Sequence, residues 1–475
     1  MQSSGITPRS LEYGAPAKSE RESLSSGAIS RAPRLALALV LSITAALVVA
    51  PWRGHVDDVD AQVYEVVARN MVADGTWFDL RYLPDLWPHF REHLPFSFWP
   101  AAATIRLFGE GAVNVLYACL TLATVWLAGW ITTRIQGGWG GVVAALVLGT
   151  CESIWQYGGR FMLEPPLLLF ATAAAGAALL PRPRWYSAAA FGALAVLAKG
   201  PFGLLPLACV VLGRSISERS WRLLLRGALA GLLAIVPAAL FLILDRWLGS
   251  GTWWTGYFER RLLGWATGGT PEGVALRWYP LVVIKNRFWP GIPLVAYGLW
   301  RARRERQLQP LAIACILGAL LLCVPARKWG NHAYVLFPLL AIFAGAAVGP
   351  VLERVCSATL QRRIVQALAV ATALAWVVSL AGGGRLVLQP PCVVTKEFAT
   401  ELSSLPAGSS IWVVSPTPEW LLIGELASER GLVPVISAAL TNSGGPRVAI
   451  AREDTVVTSP WSEWTRARGW TLLRR

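Results

Sequence analysis

Three aspartates stand close together in His55-Val-Asp57-Asp58-Val-Asp60, and Tyr64 follows the last by four residues. An ionised carboxylate held at the mouth of a cavity can take a proton from a hydroxyl or organise a leaving group. The same three residues could instead cap the free N–H groups of a following helix and complement its dipole. Asp60 differs from its neighbours because the four-residue step places its side chain and that of Tyr64 on one helix face. Other charges are set in apolar surroundings. Arg160 and Glu164 are one helical turn apart and could pair with each other. Lys285 and Arg287 fall inside an apolar run, roughly 10 Å from its start at about 1.5 Å per residue. A charge at that depth marks a site unless its stem snorkels to the headgroups. The same choice holds for Arg260 and Arg261. Glu92 reads equally as a surface charge, and Tyr64 and Tyr334 equally as interface aromatics.

His55, His89, His93 and His332 are the only histidines, and their spacing matches no metal motif. A carboxylate-only site for a divalent cation leaves little trace in a sequence, so a divalent cation stays open as a cofactor. Six of the seven cysteines lie in or beside apolar runs with no redox or zinc spacing, as inert buried thiols do.

The elements that carry these residues are mostly apolar. Of 475 residues 55% are apolar and 15% charged, with a mean hydropathy of +0.49. Soluble domains carry charge on about a quarter of their residues, so a purely cytosolic enzyme is excluded. The net charge of +15 is distributed as short basic clusters between apolar runs. That is the pattern of cytoplasmic loops and not of a nucleic-acid surface. The run Arg34–Ala50 reads as a first membrane anchor after a disordered cytoplasmic tail, 1–33. Further spans are expected at 112–133, 138–156, 164–180, 186–198, 201–213, 227–246, 278–300, 310–324, 331–349 and 363–381. With the N-terminus inside, every inner loop is basic, through Arg134, Arg182, Arg184, Arg214, Arg301 and Arg354 among others. The stretches 52–111, 157–163, 247–277, 325–330 and all that follows 382 are then outside. Pro95–Phe108 fits only as an interfacial or re-entrant helix.

The first outer loop contains a helix with an apolar stripe of Val59, Val63, Val66, Val67 and Met71, and with Gln62, Glu65 and Arg69 on its wet side. Such a helix is expected to lie on the membrane surface. Beyond 383 the chain changes character. Ile411–Ser415, Leu432–Ser437, Val448–Ala451 and Thr471–Leu473 read as strands, with a helix over Glu419–Arg430. The expectation is an α-helical integral membrane protein, a multispanning domain over 34–382 and a small outer α/β domain over 383–475.

Several motifs carry a resemblance to a known family. Asp60-Ala-Gln-Val-Tyr64, continuing through Ala68-Arg69-Asn-Met71 to Gly75-Thr-Trp77, is similar to the first-loop motif of the GT-C membrane glycosyltransferases. Within that class it resembles the protein O-mannosyltransferases and the lipid A aminoarabinose transferases. Glu92-His-Leu-Pro-Phe with Trp99, Arg160-Phe-Met-Leu-Glu164-Pro165, Lys199-Gly-Pro, Tyr257-Phe-Glu259, Trp289-Pro290 and Lys328 through Tyr334 to Pro338 follow in the family's order. The resemblance spans most of 34–350. Departures are Ala61 for the usual second acid, His93 for Lys, and Glu164 for Asp. Arg260 stands where the aminoarabinose transferases have a histidine that helps bind a metal, and an arginine cannot ligate a cation.

The resemblance implies a GT-C fold with about 11–13 spans and transfer of a sugar from a polyprenyl-phosphate donor. The acceptor would be lipid A, another envelope glycan or lipid, or a protein, at the outer face of the cytoplasmic (inner) membrane. It further implies Asp60 and Glu164 as catalytic carboxylates, with Tyr64, Glu92, Lys199, Arg260, Lys285, Lys328 and Tyr334 binding the donor phosphate or substrate. Cations are required there because transfer creates a phosphate leaving group. The alternative from another class is a transporter or flippase of lipid-linked sugars. Such a protein should show two related halves with interrupted helices, and no such repeat is visible.

Overall fold

The computed structural model describes residues 31–49, 59–83, 87–268, 273–381 and 398–414, and within the C-terminal part 422–423, 426–427, 432–437, 446–452, 461–467 and 470–474. The expected tail over 1–30, Asp57 and Asp58, and most of the helix expected over Glu419–Arg430 lie outside the described residues.

All eleven expected spans fall on a helix or a pair of helices. Arg31–Val49, Gly111–Gln136, Trp221–Leu248, Gly330–Val355 and Ala358–Ala381 are long and apolar enough to cross a membrane. Gly138–Gly149 and Glu152–Gly158, bent by 66°, form a sixth candidate. Glu164–Leu179, Trp185–Lys199, Pro201–Ser217 and Arg306–Leu321 are shorter apolar helices, and Tyr279–Arg287 with Ile292–Ala302 occupies the expected 278–300 span. Leu225, Leu229, Leu232 and Leu240 of Trp221–Leu248 are exposed, as are Val370, Leu374 and Val377 of Ala358–Ala381. Apolar surface this extensive requires lipid around it. This is a multi-pass membrane protein.

Close helix approach uses small residues, since packing rather than water expulsion holds membrane helices together. A Cβ at Gly345 would meet the Gly140 carbonyl oxygen at 2.3 Å, so the helices carrying them touch backbone to backbone. The basic loops meet at one end of the bundle. Arg214 donates to the carbonyls of Ala178 (2.6 Å) and Leu180 (3.1 Å), and the Trp139 N–H donates to Glu353 at 3.3 Å.

At the opposite end lie the helix Val59–Asp74, the turn Pro95–Ser97 and the short helix Trp99–Phe108. The helix Val59–Asp74 differs from expectation. Val63, Val66, Val67 and Met71 are buried as expected, but Gln62, Tyr64 and Ala68 are buried too. Tyr64 packs against His93, Phe98 and Phe161, and Ile411, Leu426 and Ala427 of the C-terminal domain share a core with Val63 and Val67. Arg69 bonds Glu65 and Glu110, and also the Ala427 carbonyl at 3.2 Å. The helix is thus sandwiched rather than floating on lipid.

The C-terminal sheet has five strands, β1 Ser410–Val414, β2 Val433–Ser437, β3 Val448–Arg452, β4 Ser462–Ala467 and β5 Trp470–Arg474, in the order β2-β1-β3-β5-β4. β1 is parallel to β2 and β3, whereas β5 is antiparallel to β3 and β4. β4 was not expected, because Ser-Glu-Trp-Thr-Arg-Ala is a polar edge strand with no apolar run to mark it.

Candidate active site

The site is assembled from element ends. Glu164 opens the helix Glu164–Leu179, where Pro165 and Pro166 follow because the first helical turn needs no amide donor. Lys199 closes the neighbouring helix Trp185–Lys199. An acid at a helix start and a base at a helix end each complement the local dipole. The two side chains form an ion pair, with Lys199 7% and Glu164 2% exposed. Gly200 then turns the chain at φ +78°, and a Cβ there would meet the Tyr257 hydroxyl at 2.4 Å. Only glycine fits both the dihedral and the contact.

A cavity of about 350 Å³ opens beside this pair. Asp60 and Tyr64 reach it from the first-loop helix, and Glu92 and His93 from the loop that follows. That loop is clamped by Arg91, which donates to Asp79 (2.6 Å) and Thr252 (3.2 Å) and lies 4.3 Å over the Trp253 ring. Lys199 and Phe202 come from the glycine turn, and Trp329, Asn331 and His332 from the segment preceding Gly330–Val355 and its first turn. Tyr257, Arg261, Leu262 and Trp265 complete the wall. The first three belong to a π-helical stretch, Trp254–Leu263, whose wider i→i+5 turn brings residues four and five positions on beneath Tyr257. Arg261 reaches Glu92 at 3.1 Å and lies 5.5 Å from the Trp329 ring centre.

The electrostatics separate the groups. Asp60 keeps solvent access at the cavity mouth, yet protein surrounds it on most sides. This burial raises its carboxyl pKa above the usual range; Lys199 and Arg261 oppose the shift and Glu164 adds to it. Burial, and then the positive charges of Lys199 and Arg261, hold His93 well below the ordinary histidine value, so its ring is neutral at pH 7. Tyr64 lies 3.0 Å from His93 Nε2. Burial, and then Asp60, push its phenol well upward, so it keeps its proton and is placed to donate it to that nitrogen.

Asp60, Tyr64, Glu92 and Lys199 are therefore brought together on one cavity. Glu164 is placed behind Lys199 and not on the cavity wall. With Tyr334 it lines a separate space of about 10 Å³ that also touches Ser153 and Tyr157. The helix-start position that suits a carboxylate also sets Glu164 back from the opening. Lys328 is buried outside the cavity lining, its backbone bridged to Val274. Arg260 is exposed, and the π-helical turn presents Arg261 instead. Lys285 is exposed, and its neighbour Arg287 pairs with Glu152. The run carrying them is interrupted at Trp289–Gly291.

Phe202, Tyr257, Trp265, Asn331 and His332 are cavity residues that no sequence motif singled out by role. Among the described residues no group of three or more His, Cys, Asp or Glu converges as a metal-binding set, and the Glu92 carboxylate is engaged by Arg261.

No protein-family model and no curated protein sequence matches the chain. Solved structures do. The crystal structure of ArnT from Cupriavidus metallidurans bound to undecaprenyl phosphate superposes with a TM-score of 0.68 at 17% identity, covering 92% of this chain and 97% of that one. Its apo state gives 0.65 at 18% identity, covering 91% and 97%. The archaeal oligosaccharyltransferase AglB from Archaeoglobus fulgidus, in complex with an inhibitory peptide and a dolichol-phosphate, gives 0.55 at 13% identity, covering 88% of this chain and 69% of that chain. A bundle of helices, a first outer loop folded over its end and a small C-terminal sheet domain thus make up a GT-C glycosyltransferase fold.

Proposed function

We propose that this protein is a glycosyltransferase that moves a sugar from a polyprenyl-phosphate donor to an acceptor hydroxyl at the outer face of the cytoplasmic membrane. The observation that carries the reading is the meeting of Asp60, Lys199 and Arg261 on one cavity in a fold shared with proteins solved with undecaprenyl phosphate and dolichol-phosphate. The polyprenyl tail would remain in lipid while its phosphate and sugar enter the cavity. The N-terminus would be inside and the C-terminal domain outside, as the basic loops at the other end of the bundle require.

In this mechanism Asp60 accepts the proton of the acceptor hydroxyl as its oxygen attacks the sugar carbon bonded to phosphate. The carbon–oxygen bond to the phosphate breaks, and the polyprenyl phosphate leaves with the bonding electrons. Lys199 and Arg261 stand where negative charge grows on that leaving group, which lowers the barrier most in a site shielded from water. Glu164 acts through Lys199 as a positioning residue. Tyr64 and His93 orient the wall next to Asp60. The acceptor is a lipid, glycan or protein hydroxyl, lipid A included.

The test compares Asp60→Asn with Asp57→Asn and Asp58→Asn in purified protein, following labelled sugar from polyprenyl-phosphate donors and normalising to folded protein. Removing a general base costs roughly 100- to 10,000-fold in rate, and only Asp60→Asn should show it. Equal losses in all three variants, or near-normal turnover of Asp60→Asn, would leave Asp60 as a helix cap.

A further inference from the structure

One wall of the cavity is polar without being charged, and two of its polar atoms have no partner among the described residues. Asn331 and His332 both line the cavity. Asn331 Oδ1 and His332 Nδ1 are buried with no hydrogen-bond partner among the described residues. Buried polar atoms in native proteins nearly always have partners, so two orphans side by side on a cavity wall call for an external one. The imidazole is also held firmly. Phe202 stacks on it with ring centres 4.2 Å apart and planes 26° apart, and Trp265 meets it edge-on at 5.2 Å and 89°. Phe202 and Trp265 in turn contact each other at 5.0 Å. A ring locked in this way offers its nitrogens in a fixed direction.

The chemistry of this wall selects its ligand. An amide and an imidazole can each donate and accept hydrogen bonds, as a hydroxyl does. Aromatic faces beside them suit the C–H edges of a ring that carries hydroxyls. Phe202, Trp265, Trp329, Asn331 and His332 include no carboxylate that could pair with an ammonium. The two carboxylates elsewhere in the cavity both face cations: Glu92 is engaged by Arg261, and Asp60 lies within the fields of Lys199 and Arg261, which would repel a positive ligand.

We infer that Asn331 and His332 form the sugar-recognition ledge of the cavity, and that the sugar they take is uncharged and rich in hydroxyls. This rests on the transferase reading above and assigns the two ends of the donor to different parts of the site. Phosphate lies toward Lys199 and Arg261; the sugar lies on the ledge.

The experiment measures binding of three short-chain probes to the full-length protein in detergent: a prenyl phosphate, the same compound carrying glucose, and the same compound carrying glucosamine. In Asn331→Ala and His332→Ala, affinity for the glucosylated probe should fall by roughly 2- to 12-fold per variant, the range expected for one neutral hydrogen bond. Affinity for the bare prenyl phosphate should be unchanged in both, which also reports that the variants are folded. Variants that bind the glucosylated probe as wild type does, or that lose both probes equally, overturn the ledge while leaving the transferase reading standing. Tighter wild-type binding of the glucosamine probe than of the glucose probe overturns the uncharged class. Wild-type protein that binds none of the three overturns both readings.

Discussion

Replacing Lys199 by methionine removes the charge that faces both the cavity and Glu164. The Glu164 side chain is 2% exposed, and its Oε2 has no hydrogen-bond partner among the described residues. Without the ammonium, the buried carboxylate would lose the cation it pairs with. Breaking a buried ion pair on one side in this way costs about 3–5 kcal/mol. The reverse change, Glu164→Gln, should cost less, about 1–3 kcal/mol, the scale of one broken hydrogen bond left buried. The Lys199 ammonium lies on an open cavity and can be hydrated from there, so losing its partner does not strand it. The double variant Lys199→Met/Glu164→Gln removes both charges and should be more stable than Lys199→Met alone. Equilibrium unfolding in mixed detergent micelles measures all four proteins. Glu164→Gln losing more stability than Lys199→Met, or additive losses in the double variant, would refute the claim that Glu164 is held through Lys199.

Further outcomes follow from the same geometry. Asp60 must be ionised to accept a proton and its pKa is raised, so the transfer rate should fall with falling pH already above the usual carboxylate range. Arg261→Gln removes an opposing positive charge and should move that acid limb to still higher pH; an unmoved limb in a pH profile of kcat/KM would count against the electrostatics. The stability sign is opposite to that of a salt-bridged acid, because a folded pKa above the unfolded one makes ionised Asp60 a cost at neutral pH that is relieved as pH falls. Gly200→Ala should destabilise by about 1–3 kcal/mol from the backbone conformation alone, with an added clash against the Tyr257 hydroxyl; Tyr257→Phe in the same background should recover the clash but not the strain, as read by thermal unfolding.

The membrane class and the eleven helical stretches were legible in the sequence because lipid imposes a simple rule: a spanning segment must be apolar, and basic residues stay on one side. Asp60, Tyr64, Glu92 and Lys199 were legible as candidates because each sits in a short motif at an element end. What the sequence could not decide is which charges share a space. Arg260 and Arg261 are adjacent in the chain, and only the π-helical turn of Trp254–Leu263 sends the second to the cavity. Glu164 pairs with a lysine thirty-five residues away instead of entering the site. Gln62 reads as solvent-facing in the helical pattern, yet it is buried in the folded protein. Asn331 and His332 lie inside the Lys328-to-Tyr334 motif, but nothing in the chain gives them a role, since an unpaired hydrogen-bonding atom can be recognised only once every neighbour is in place. Periodicity along one chain reports the environment of an element; the partners of a side chain are set by contacts between elements, and those are properties of the tertiary structure.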